Sequence, residues 1–175
     1  FRNFPTAPDL VRNGLALMGE IFRTTNTVPR TAVFMHVNDT FGMANLGMRP
    51  GLVGAVGEDF VSYRSWLERH GVDCESILVS GTRHTARFVC TTDDDMAQIA
   101  TFYAGAMSDA RMIELGPIAQ RVGGADFVLI GANDPQAMLR HTRECRTRGI
   151  PFIAHPSQQL AFSDAPESRG QIEGA

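Results

Sequence analysis

Between Phe127 and Ala154 the chain writes out a strand, a helix and a second strand with almost no slack. Phe127–Ile130 is wholly apolar, as a strand covered on both faces must be. Asp134 and Pro135 suit an N-cap and a first helical position, and Gly149 suits the left-handed stop. Pro151–Ala154 supplies the next strand. A crossover through one helix joins parallel strands, and such units are right-handed. The stretch that follows, His155-Pro156-Ser157-Gln158-Gln159-Leu160, therefore leaves a strand's carboxyl end, where open α/β sheets bind ligands.

The preceding residues read in the same style. Pro8–Thr25 predicts a helix capped by Asp9, with Leu10, Gly14, Leu17, Met18 and Ile21 on one stripe. Thr31–Val37 and Leu52–Val56 are apolar runs that predict buried parallel strands, with a short helical piece around Phe41–Leu46 between them. Asp59–His70 predicts a helix whose inner side is Phe60, Tyr63 and Leu67, stopped by Gly71. Ile77–Val79 is a further short strand. Ser108–Gly123 predicts a helix interrupted at Gly116-Pro117.

One stretch departs from the parallel pattern. Thr85–Thr92 and Ala97–Tyr103 are rich in Thr, Val, Phe, Tyr and Ile and are parted by Asp93-Asp94-Asp95-Met96, the layout of an antiparallel hairpin. Side chains alternate between faces, so Ala86, Phe88 and Cys90 share one face of the first arm, and Ala100 and Phe102 share one face of the second. Brought into register, Phe88 and Phe102 form one aromatic surface. That surface is either core or a platform for a flat ligand.

Composition excludes several classes. A net charge of −3 with no basic cluster argues against nucleic acid, and every basic residue is arginine. Cys74, Cys90 and Cys145 are odd in number, widely spaced and without a CxxC, which predicts reduced thiols in a cytoplasmic protein. No apolar run reaches membrane-spanning length, and no signal-peptide layout opens the chain, so no membrane partner is expected. The acidic triplet reads as a solvated loop, and the His141/Cys145 pair lacks a second pair to complete a metal site. Trp66 and the methionines read as packing, and no nucleophile elbow marks a hydrolase.

Four blocks, LVGAVGEDF (Leu52–Phe60), HTARFVCTTDDDMAQIATFYAGAM (His84–Met107), VLIGANDPQAM (Val128–Met138) and HPSQQLA (His155–Ala161), carry a resemblance. In this order they resemble the PfkB (ribokinase-like) carbohydrate kinases of the actinobacterial adenosine kinase type, over about residues 45–175. The resemblance implies that the hairpin within 84–107 belongs to a small lid over a nucleoside. It also implies that Phe88 and Phe102 line the adenine pocket and that Gln158 and Gln159 make polar contacts to the nucleoside. For the full family it implies ATP and Mg²⁺, with transfer of the γ-phosphoryl to the ribose 5′-hydroxyl.

The family pattern is partial. The early Gly-Gly and Asn motif that holds the ribose is missing, as is the Asp-Thr-x-Gly-Ala-Gly-Asp segment that supplies an anion hole and a base. Gly123-Gly124-Ala125-Asp126 is no substitute, because it leads into a strand and not a helix N-terminus. His155 stands where the family usually has Asp. Residues 1–44 resemble instead the type I periplasmic solute-binding proteins of branched-chain amino-acid transporters, with a helix, a strand and the Asn38-Asp39-Thr40-Phe41-Gly42 turn, so the chain looks chimeric or truncated.

The expected fold is thus α/β: a mostly parallel Rossmann-like sheet with flanking helices and a small antiparallel β lid, ribokinase-like and partial. The expected function is a partial adenosine-kinase-like module that recognises a small nucleoside or sugar, with no catalytic or metal-binding residue and no cofactor in this chain alone. The alternative is a non-enzymatic α/β binding or recombinant domain, including amino-acid-type solute binding.

Overall fold

The computed structural model describes residues 31–34, 43–44 and 47–156, the first four by their backbone. The helix expected over 8–25 and the glutamines Gln158 and Gln159 lie outside the described residues. Among the described residues eight strands form three sheets. β1 (Thr31–Phe34), β2 (Arg49–Leu52), β7 (Phe127–Ile130) and β8 (Phe152–Ala154) make a parallel sheet in the order β2-β1-β7-β8. β3 (Gly54–Gly57) and β4 (Ile77–Ser80) pair in parallel, and β5 (Arg87–Thr92) and β6 (Gln98–Tyr103) form the antiparallel hairpin.

β7 shows why the main sheet is buried on both sides. Its residues alternate, so Phe127 and Leu129 join Met43 and Met48 in one cluster while Val128 and Ile130 join another. That second cluster contains Val53, Ile113, Leu115, Ala137, Met138, Cys145 and Phe152. It lies under helix α3 (Pro135–Arg148), whose Asp134 carboxylate accepts from the Gln136 and Ala137 amides at 3.1 Å each and whose Gly149 takes φ 66°. Cap, proline and stop fall where the sequence sets them. His141 and Cys145, i and i+4 on this helix, are both fully buried, and the His141 ring bonds the Ile113 carbonyl through Nε2 at 3.1 Å. Burial pushes the Cys145 thiol up to about 12 and the His141 imidazole below its ordinary value.

β1 runs between β2 and β7, with Ala32 opposite both Pro50 and Phe127. The strand at residues 31–34 is thus central to the sheet.

Three expectations need correction. Leu52–Val56 is not one strand. The chain pairs with β1 up to Leu52, turns at the fully buried Val53, and pairs with β4 from Gly54 onward. An apolar run reports burial, which both strands share, and so cannot show the change of partner. Tyr63 is not an inner residue of α1 (Val61–Arg69): it is 38% exposed, its ring meeting Phe60 edge-on and stacking on Trp66 at 5.7 Å. A short 3-10 turn, Glu58–Phe60, precedes α1 and rotates the stripe, leaving Phe60 and Leu67 inward. Finally, the break in 108–123 comes at Ile113-Glu114, between a 3-10 segment (Gly105–Met112) and α2 (Leu115–Arg121). Gly116 and Pro117 sit in the first turn of α2, where proline's missing N–H costs nothing. Glu144 of α3 accepts from the Leu115 amide at 2.7 Å and thereby caps that turn from a distance. Gly123 and Gly124, both at positive φ, end α2, their amides donating to the Gln120 and Ala119 carbonyls.

Candidate functional site

The hairpin begins with its turn. Asp93 Oδ1 accepts from the Asp95 and Ala97 amides at 3.1 and 2.8 Å, so the first carboxylate of the acidic triplet locks the loop. Met96 takes φ 64°, the left-handed corner that closes the turn, and is 75% exposed. From there the ladder pairs Thr92 with Gln98, Cys90 with Ala100 and Phe88 with Phe102. Directly opposed residues project to the same side, so the two phenylalanines do share a face, as period two requires.

That face is not core. Every residue of β5 and β6 is exposed, Phe88 at 64% and Phe102 at 54%. The opposite face carries Arg87, Val89, Thr101 and Tyr103, which with His84 line a shallow hollow of ≈ 260 Å³. The hollow lies on the side away from the phenylalanine pair.

The root of the hairpin is built from residues that sequence reasoning did not single out. Asp59, in the 3-10 turn after β3, accepts through Oδ1 from the Thr85 amide at 2.9 Å and the Thr85 hydroxyl at 2.7 Å. Its Oδ2 accepts from Arg87 at 2.7 Å, with the His84 ring 3.8 Å away. These donors hold the Asp59 carboxyl well below the usual carboxylate range, the Thr85 amide contributing most. The Thr85 hydroxyl also accepts from the Gly57 amide at 3.0 Å. Arg83 reaches the other way, to Asp109 at 3.0 Å. The only sequence signal was a pair of glycines: a Cβ on Gly57 or Gly105 would collide with the backbone at Arg83 and His84.

A second region lies at the carboxyl edge of the main sheet. The order β2-β1-β7-β8 places the switch of direction between β1 and β7, and ligands of open α/β sheets bind outside the strand ends at such a point. After β7 come the buried Asn133, whose side-chain oxygen accepts from the Asp134 amide at 2.8 Å, and Asp134, which pairs with Arg111 at 2.6 Å. The His155 amide donates to the Ile130 carbonyl at 2.8 Å, leaving its ring exposed beside this edge. Among the described residues no three His, Cys, Asp or Glu side chains converge to hold a metal ion.

Comparison with known proteins agrees with this architecture. The pfkB family carbohydrate kinase pattern matches residues 36–167, and the chain belongs to that family. The match starts at His36, and so reaches into the segment that was expected to resemble solute-binding proteins. The nucleoside kinase of Methanothermobacter thermautotrophicus is 34% identical over 134 residues, 75% of this chain and 41% of the relative. The chain therefore spans less than half the length of that relative.

Among solved structures, the Burkholderia thailandensis nucleoside kinase in complex with inosine superposes with a TM-score of 0.69 at 22% identity, covering 81% of this chain and 56% of that one. The complex of the same enzyme with ADP-inosine superposes at 0.65 with 27% identity, over 75% and 40%. The Methanocaldococcus jannaschii nucleoside kinase, an archaeal member of the ribokinase family, gives 0.65 at 21% identity over 75% and 43%. The fold is ribokinase-like. No helix among the described residues is long and apolar enough to cross a membrane.

Proposed function

We propose that this chain is the nucleoside-recognising part of a PfkB-type nucleoside kinase, with a purine nucleoside such as adenosine or inosine as its ligand. The observation that carries the reading is the Phe88–Phe102 pair, directly opposed on one face of the hairpin and more than half exposed. Two large aromatic rings left in water cost stability unless something flat covers them, and a purine base is flat and apolar on both faces. In the whole protein the reaction is ATP-dependent phosphorylation of the ribose 5′-hydroxyl, with Gln158 and Gln159 contacting the nucleoside. This polypeptide by itself transfers no phosphoryl group, since it holds no Asp-Thr-x-Gly-Ala-Gly-Asp segment to form an anion hole and supply a base. The protein works in the cytoplasm, in keeping with its three free cysteines.

Calorimetry with adenosine and inosine on the parent and on Phe102→Ala tests the reading. Base stacking on an aromatic is worth roughly 1–3 kcal/mol, so the substitution weakens binding from several-fold to about a hundredfold. Absence of binding by the parent at millimolar nucleoside would sink the proposal.

A further inference from the structure

We infer that Asp59 is a positioning residue: through Thr85 and Arg87 it sets the angle at which the hairpin leaves the body, and so where the phenylalanine face stands. This rests on the nucleoside-binding reading above and adds to it the residue that aims the site. Among the described residues β5 and β6 pair only with each other, and every residue of these two strands is exposed, so apolar burial does not hold them in place. A two-stranded ribbon without a covering layer is marginal alone and takes its direction from its root.

At that root the chain has little freedom. The Arg83-His84 backbone passes between Gly57 and Gly105, each so close that a Cβ would collide with it. The His84 carbonyl accepts from the Ala106 amide at 2.9 Å, tying the incoming arm to the outgoing one. What the pinch leaves open is rotation about the strand, and this is what Asp59 removes. Thr85 and Arg87 are two residues apart and share a face, and one carboxylate holds both, Oδ1 on Thr85 and Oδ2 on Arg87. A bidentate hold on alternate residues fixes twist as well as distance, which a single contact would not. With Thr85 and Arg87 turned toward Asp59, Phe88 is turned to the other side. The Gly57 amide, bonded to the Thr85 hydroxyl at 3.0 Å, connects the same tether to the end of β3.

Asp59→Asn and Thr85→Val break the tether without touching the phenylalanine face, while Thr85→Ser keeps the hydroxyl. Hydrogen exchange and nucleoside calorimetry on the same samples read the result. In Asp59→Asn and Thr85→Val the hairpin amides exchange about tenfold faster and inosine affinity falls about tenfold, while amides of β7 stay protected. Thr85→Ser returns both readouts to parental values, which loss of general stability would not permit. If the parent binds inosine and the two variants bind it equally well with unchanged hairpin exchange, Asp59 does not position the site. If the parent binds no nucleoside, the functional reading fails and the positioning role fails with it. If Asp59→Asn loses β7 protection as well, Thr85→Val against Thr85→Ser decides the matter alone.

Discussion

β7 and the β5–β6 hairpin are both regular strands of apolar and β-branched residues, yet they are held by different forces. Ile130 and Val128 of β7 are 0% and 1% exposed and are packed beneath α3. Phe88 and Phe102 of the hairpin keep more than half their surface in water, and their strands meet the body through polar contacts at the root. The first region is specified by what it excludes, namely water. The second is specified by a turn, a ladder and a tether. A substitution should therefore register as lost stability in the body and as lost aim or lost binding in the hairpin.

The largest effect tests the body. Ile130→Ala removes a fully buried branched side chain and should cost about 2–5 kcal/mol in urea unfolding; a cost near zero would mean that the cluster around α3 is loosely packed. Next comes Asp134→Ala, which deletes both the α3 cap and the partner of Arg111. A loss of about 1–3 kcal/mol is expected from the same titration.

His141 gives a pH signature to the body alone. Its folded pKa is lowered by burial, so below an ordinary imidazole value near 6.5 the unfolded chain takes up a proton that the folded chain resists. Stability from this group is complete above that pH and drains away as pH falls below it, at no more than about 1.4 kcal/mol per pH unit. The parent should lose more stability than His141→Gln between neutral and mildly acidic pH. Parallel curves would contradict the assignment.

The two smallest effects belong to the hairpin. Met96→Gly trades a left-handed methionine for a residue that adopts φ 64° without strain, at some entropic cost. A net gain of roughly 0.5–1 kcal/mol should appear as slower exchange of the hairpin amides, with the body unmoved. Phe102→Ala should shift global unfolding by no more than about 0.5 kcal/mol despite removing an aromatic ring, because that ring is 54% exposed. A loss on the scale of Ile130→Ala would show that the hairpin is core after all and erase the contrast.

How much of this was legible in the chain depends on the reach of each interaction. The α3 boundaries follow from Asp134, Pro135 and Gly149, because capping acts within one turn of the residues concerned. The shared face of Phe88 and Phe102 follows from period two and a short turn, both local. The strand at 52–56 was half legible: burial was visible, but the exchange of partner at Val53 was not, since hydrophobicity does not name a neighbour.

The sequence by itself thus determined the elements whose causes lie within a few residues, namely the strand–helix–strand unit, the hairpin and its aromatic face, and it carried blocks enough to mark the family. Only the tertiary structure decided that this face is open to water, that Tyr63 points outward, and that Glu144 caps a helix belonging to another part of the chain. It alone decided that Asp59 grips Thr85 and Arg87. Those partners stand 26 and 28 residues away, and a carboxylate in a sequence carries no mark of which distant donors the fold will bring within about 3 Å of it.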